Sequence, residues 1–134
     1  MDIRNSPMHM DTSEIPFDVH FKFEDGTMVR GHKMVLAMSS DVFKRQFYGF
    51  YKEDVEGDVV IKEANGEEFQ IMIDFVYGRL NDFKKMNIEV LFATVNLAEK
   101  YNIKPLREAV YNAVLDYPIT EENVVTCAKE SIYF

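Results

Sequence analysis

The stretch VHFKFEDGTMVRGHKMVLAMSS, residues 19–40, decides how the rest of the chain is read. Its first five residues alternate: Val19, Phe21 and Phe23 are apolar, His20 and Lys22 between them polar. Period-two alternation puts the two sets on opposite faces of a half-buried strand. Asp25-Gly26 follows, and because both positions tolerate positive φ the pair predicts the two-residue turn of a tight hairpin. Thr27 to Gly31 then returns as the second strand. From His32 to Ser39 a short helix is expected, with Met34-Val35-Leu36-Ala37-Met38 apolar on every side. A helix apolar all round must be covered all round. Either all five residues are internal, or the outer side of this helix meets something other than its own core.

Working outward, Ser39 or Ser40 can cap a next helix that carries Phe43 and Phe47 four apart on one face. Gly49 is expected to end it in a left-handed conformation. Tyr51 to Gly57 reads as an acidic loop, and Asp58 to Lys62, with Val59, Val60 and Ile61, as a short buried strand. Beyond a turn at Asn65-Gly66, Phe69, Met72, Ile73 and Val76 recur at helical spacing. Ile71, Phe75 and Tyr77 add a second apolar side, which makes this helix central, and Gly78 closes it. Asn81 to Asn87 is a polar connector. Ile88, Leu91, Phe92, Val95, Ala98 and Tyr101 mark one more amphipathic helix, and Leu106, Ala109, Val110, Ala113, Val114 and Tyr117 another. Pro105 suits the first turn of the latter, where a missing N–H costs nothing, and Pro118 stops it. Thr120 can cap a last helix whose Glu121 and Glu122 favour the positive end of its dipole.

The order of elements is β-hairpin, helical hairpin, strand, then helices. That is an α+β arrangement, a small sheet covered by a cluster of five to six helices. Residues 1–15 read as a flexible leader, 16–117 as the folded domain and 118–134 as the start of a helical extension. The length of 134 residues fits one domain. The polar start, with Asp2, Arg4, Asp11 and Glu14, lacks the apolar core of a signal peptide. No run is apolar for the ~18 residues that a membrane span requires. A single cysteine, Cys127, excludes an internal disulfide and points to a reducing compartment, cytoplasmic or nuclear. The net charge of −8 and the lack of a basic stripe beyond Lys84-Lys85 argue against nucleic acid as a partner.

Chemistry is sparse. The six glycines are scattered at turns and form neither a phosphate-binding loop nor a dinucleotide fingerprint. Paired carboxylates occur only in the acidic loop (Glu53, Asp54, Glu56, Asp58), where exposure leaves no desolvation to raise a carboxyl pKa. One cysteine cannot build a zinc cage, and His9, His20 and His32 are not spaced as one. His32 reads as a buried histidine satisfied by backbone hydrogen bonds at the corner between hairpin and helix. No catalytic residue, metal or cofactor is expected.

Several separated blocks resemble the BTB/POZ family. Phe17-Asp18-Val19 is similar to the family's opening of its first strand. Gly31-His32-Lys33-Met34-Val35-Leu36-Ala37 and Ser39-Ser40-Asp41-Val42-Phe43 resemble its H-K/R-x-x-L-A-x-x-S-x-x-F stretch. Phe75-Val76-Tyr77-Gly78 and Leu97-Ala98-Glu99-Lys100-Tyr101-Asn102-Ile103 with Leu106 follow in the family's order, while Val110 stands where many members carry Cys. The resemblance covers roughly residues 16–117 and marks Asp18 and His32 as signature positions. It implies a non-catalytic docking domain that forms a homodimer through its first helix, here Met34, Ala37 and Met38. It also implies an adaptor for the ubiquitin-ligase scaffold cullin-3. Such adaptors bind the cullin N-terminal domain through a hydrophobic-x-Glu motif after the second helix. The matching residues are Tyr51-Lys52-Glu53, with Phe50 beside them, either an exposed anchor or packed under the loop. Residues 118–134 resemble the opening of a helical BACK region. Two other branches share the fold: a co-regulator module of transcription-factor type, and the channel tetramerisation domains.

Overall fold

Hydrogen bonds across residues 19–31 show how the hairpin closes. In this computed structural model, which describes residues 15–49, 58–79 and 81–118, β1 (Val19–Phe23) pairs antiparallel with β2 (Met28–Gly31), Lys22 lying opposite Met28. The turn is one residue longer than Asp25-Gly26 alone predicts. Phe23 N–H donates to the Thr27 carbonyl (3.0 Å) and Gly26 N–H to the Phe23 carbonyl (3.0 Å), with Gly26 at φ 89°. That is a three-residue loop, a tight turn followed by a left-handed residue. Asp25 Oδ1 accepts the Thr27 N–H (2.9 Å), so the aspartate closes the loop with its side chain.

β3 (Asp58–Ile61) runs parallel to β1 on its other side, giving the order β2-β1-β3. The sequence reading of a buried strand is corrected here. β3 is an edge strand in which Ile61 is buried, Val59 is half-buried, and Asp58 and Val60 stand out, Val60 62% exposed. Successive side chains point to opposite faces and only one face of this sheet is covered, so a run of three apolar residues can still place one in solvent. Lys22 Nζ lies 2.8 Å from Asp58 Oδ2 across the outer face. Its hydrogen bond holds the Asp58 carboxyl below the usual carboxylate range.

Among the described residues there are five α-helices: α1 (Lys33–Ser39), α2 (Asp41–Tyr48), α3 (Gly66–Val76), α4 (Ile88–Lys100) and α5 (Lys104–Leu115). A 3-10 turn at Phe83–Lys85 sits inside the polar connector, its Phe83 ring 6.4 Å from that of Phe75. α2 stops at Gly49, but at φ −75° and not in the left-handed region. Glycine is required there for a different reason, because a Cβ would stand 2.3 Å from the Arg45 carbonyl oxygen. α3 and α4 end alike. Gly78 (φ 76°) and Asn102 (φ 53°) turn left-handed, while Arg79 N–H reaches back to the Asp74 carbonyl and Ile103 N–H to the Ala98 carbonyl (both 2.9 Å). These bonds satisfy last-turn carbonyls that would otherwise lack donors. α5 ends at Leu115, three residues before Pro118.

The core gathers one ring from each of four elements. Phe21 of β1, Phe43 of α2 and Phe69 of α3 are fully buried, and Tyr101 at the end of α4 is nearly so. Phe43 stacks on Tyr101 at 4.4 Å between centroids, and Phe21 lies 4.7 Å from Phe69. Leu36, Met72, Ile73, Leu91, Val95, Leu106 and Val110 complete it. Burial pushes the Tyr101 hydroxyl up to about 12. A small three-stranded sheet under five helices is the α+β fold expected from the order of elements.

Candidate interaction surfaces

α1 begins where β2 ends, with no loop to absorb error, so its orientation depends on how the corner is tied. His32 is the N-cap and makes no side-chain bond to the helix itself. Asp18 supplies that bond from the strand-leading segment, its Oδ1 accepting the Lys33 N–H at 2.8 Å. His32 is buried and spans two other elements. Its Nε2 lies 2.8 Å from the Ile15 carbonyl oxygen and its Nδ1 2.7 Å from the Tyr77 hydroxyl. A carbonyl only accepts, so Nε2 carries the proton and Nδ1 accepts from Tyr77. The same hydroxyl accepts the His32 backbone N–H at 2.7 Å. Burial pushes the Tyr77 hydroxyl above its ordinary value, which keeps its proton available to donate. The expectation of purely backbone partners is thus corrected: one partner of the ring is a tyrosine 45 residues away.

With the corner tied, α1 turns Leu36 fully inward and leaves Val35 and Ala37 half-buried. Met34 and Met38 point out, 68% and 72% exposed. They are four apart and so share one face. Of the two roles left open for this helix, the methionines take the outer one. Phe17, 4.9 Å from the His32 ring, and Ile15 are also exposed at the N-terminal end of the same helix. Long, flexible methionine side chains suit a surface that must fit a partner.

Ser40, one of two candidate caps, is the cap used. Its Oγ accepts the Phe43 N–H at 3.1 Å and donates to the Tyr101 carbonyl at 2.5 Å, tying α2 to the end of α4. α2 delivers the chain through the exposed Tyr48 to Phe50, Tyr51 and Glu53, which lie outside the described residues. Cys127 and the helix capped by Thr120 lie outside them as well. Among the described residues no three His, Cys, Asp or Glu side chains cluster as metal ligands. No helix among them is long and apolar enough to cross a membrane.

Asp18 and Tyr77 are the roles that sequence reasoning missed. The resemblance marks both positions, Asp18 as a signature residue and Tyr77 within Phe75-Val76-Tyr77-Gly78, and the periodicity reads Tyr77 as apolar, but neither gives the role. A polar atom on an otherwise apolar helix face was the available signal, since a buried hydroxyl needs a partner.

A tied corner that presents an apolar helix face, on a sheet-and-helix scaffold, defines a docking domain. The family model that matches residues 8–116 is the BTB/POZ domain, and the chain belongs to that family. Armadillo BTB Arabidopsis protein 1 of Arabidopsis thaliana is 33% identical over 99 residues, 73% of this chain and 12% of that protein. Human BTB/POZ domain-containing protein 3 is 30% identical over 135 residues, 98% of this chain and 25% of that protein. The chain therefore spans a quarter or less of the length of these relatives. The BTB domain of zebrafish PATZ1 shares the fold, with a TM-score of 0.59 at 17% identity over 73% of this chain and 75% of that one. BTB domains are protein-interaction modules, generally non-enzymatic, that typically dimerise and bind partners.

Proposed function

We propose that this chain is a homodimerising adaptor domain that docks on the N-terminal domain of cullin-3. The observation that carries the reading is the joint exposure of Met34 and Met38 on a helix whose opposite side is locked into the core. A twofold contact buries each methionine twice. At about 1.5–3 kcal/mol per side chain, four methionines offer roughly 6–12 kcal/mol. Association costs about 4–15 kcal/mol, so the pair needs neighbours. Ile15 and Phe17, exposed beside the start of α1, supply further apolar area toward the ~800 Å² per partner of a stable interface.

Met34→Asp with Met38→Asp is expected to raise the dimer dissociation constant at least tenfold in light scattering, with the folded spectrum retained because both sites are exposed. A dimer of unchanged affinity refutes the α1 interface.

The cullin-3 reading is supported by the sequence Tyr51-Lys52-Glu53, which follows α2 along the chain, and by aromatic side chains being among those that dominate interfaces. In a titration against the cullin-3 N-terminal domain, Tyr51→Ala with Glu53→Ala is expected to weaken binding tenfold or more. A wild-type chain that does not bind removes cullin-3 as the partner and leaves the dimeric co-regulator role.

A further inference from the structure

β2 has one strand neighbour, β1, and among the described residues its other edge is open. The ladder fixes which backbone groups stand there. Phe23 and Thr27 form a hydrogen-bonded pair at the turn, and such pairs recur at every second residue of an antiparallel ladder. Phe21–Val29 and Val19–Gly31 are therefore the next two. The N–H and C=O groups of Val29 and Gly31 turn to β1, and those of Met28 and Arg30 turn away from it. None of these outward groups has a hydrogen-bond partner among the described residues. An open edge of this kind is a template for one more strand.

The side chains beside that edge select what it takes. Met28 and Arg30 share the outer face with His20 and Lys22 of β1 and with Asp58 and Val60 of β3. Across the sheet they form two rows, Arg30–His20–Asp58 and Met28–Lys22–Val60. Charge is uneven along these rows. Asp58, their one carboxylate, lies on the far strand, 2.8 Å from Lys22 and 3.9 Å from His20. Arg30, on the open strand, is exposed and has no ion pair among the described residues. Met28 beside it is 41% exposed. On a chain of net charge −8, this edge pairs a free cation with an apolar side chain two residues away. The other acidic residues near β2 in sequence stand beyond its ends. Glu24 and Asp25 are in the hairpin loop at the Met28 end, and Asp18 is engaged by the Lys33 N–H at the other.

We propose that the β2 edge binds an extended segment of a partner protein as an added antiparallel strand, selecting an acidic residue followed two places on by an apolar one. Directly opposed residues of an antiparallel pair share a face, their Cβ atoms about 4.5–5.5 Å apart. A partner residue opposite Arg30 exchanges both backbone hydrogen bonds with it, and the residue two further along does the same with Met28. The first meets the guanidinium and the second the methionine. The opposite order sets the carboxylate toward Glu24 and Asp25 and leaves Arg30 against an apolar side chain. Antiparallel addition is preferred because parallel pairing is slightly less stable per residue. β2 is four residues long, so the contact is short and suits reversible docking. A second copy of this chain is a poorer occupant. Twofold pairing of two β2 edges about Val29 sets Arg30 opposite Met28 and brings a carboxylate to neither arginine. None of these residues belongs to α1 or to 50–53, so the edge and the adaptor reading stand or fall separately.

The probes are three fluorescein-labelled peptides with blocked ends, TVEVLT, the charge-reversed TVKVLT and the order-swapped TVLVET, titrated into the full chain and followed by anisotropy. TVEVLT is expected to bind at least fivefold more tightly than either of the others. Arg30→Glu should invert the preference between TVEVLT and TVKVLT, and Met28→Lys should weaken TVEVLT at least fivefold. Both sites are exposed, and circular dichroism checks that each variant keeps the fold. With TVEVLT bound, the amides of Met28 and Arg30 should exchange at least tenfold more slowly, and that of Val29, already bonded to β1, should not change. No binding at millimolar peptide, equal affinity for the three peptides, or protection that misses Met28 and Arg30 would each overturn the proposal. Protection of both amides in the free chain that grows with protein concentration would overturn it in favour of a second copy.

Discussion

Phe43→Ala is expected to cost about 3–5 kcal/mol of folding stability, the range for deleting a fully buried aromatic side chain. The position is at the upper end of that range for a structural reason. Phe43 is fully buried, and its ring lies 4.4 Å from Tyr101, 5.7 Å from Phe47 and 5.9 Å from Phe21. Those neighbours belong to α2 itself, to β1 and to the end of α4, so no single element can move in to refill the space. A cavity that cannot collapse carries the loss of transfer free energy together with the lost dispersion contacts. The backbone of Phe43 also donates to Ser40 Oγ, and that serine ties α2 to the Tyr101 carbonyl. Loosening the ring therefore loosens the tie. For a domain whose whole stability is about 5–15 kcal/mol, this loss is roughly a fifth or more of the total. Urea denaturation followed by circular dichroism measures it. A loss below about 1.5 kcal/mol would mean that the ring cluster repacks and is not the joint between sheet and helices.

Much of this arrangement is legible in the sequence because it follows from local period. Val19, Phe21 and Phe23 alternate and are all buried. Phe69, Met72 and Ile73 recur at helical spacing and are all buried, as are Leu91, Val95 and Ala98. What the pattern misses depends on partners distant in the chain. Val59-Val60-Ile61 reads the same whether one face of the sheet is covered or both, and the exposure of Val60 follows from its standing beside Lys22 on the outer face. Asp25-Gly26 has the composition of a two-residue turn, yet the register of the flanking strands admits Glu24 as a third loop residue. Gly49 is a helix-ending glycine by position, but close approach to Arg45, not handedness, is what demands it. The first helix shows the limit best. Five consecutive apolar residues carry no mark of which side is inner, and only packing makes Leu36 core and Met34 and Met38 surface. The motif at Tyr51 and Glu53 was legible as a resemblance and lies outside the described residues.

Tyr77→Phe removes one oxygen atom and is expected to destabilise the domain by about 2–6 kcal/mol. The Tyr77 hydroxyl serves two groups of His32 at once, accepting the backbone N–H and donating to Nδ1, each at 2.7 Å. Leaving a buried polar group without a partner costs about 1–3 kcal/mol, and this substitution orphans two. Shape is not what is lost. The phenylalanine ring keeps its place in the core, and the guanidinium of Arg79, 4.9 Å from the ring centroid, keeps its contact. The Nε2 bond to the Ile15 carbonyl also survives, so His32 remains attached to the leading segment but not to the end of α3. α1 starts at the residue after His32, so the damage should concentrate there. Amides of α1 are expected to exchange faster in the variant than those of α4 and α5, which pack against each other away from the clasp. If α1 carries the dimer contact, self-association should weaken alongside. The comparison that decides is with Phe43→Ala, whose loss is spread through β1, α2 and α4 and should speed exchange in all of them. A Tyr77→Phe variant within about 1 kcal/mol of wild type, with α1 exchange unchanged, would show that water takes the place of the hydroxyl. The orientation of α1 would then have to come from Asp18 and the burial of Leu36 alone.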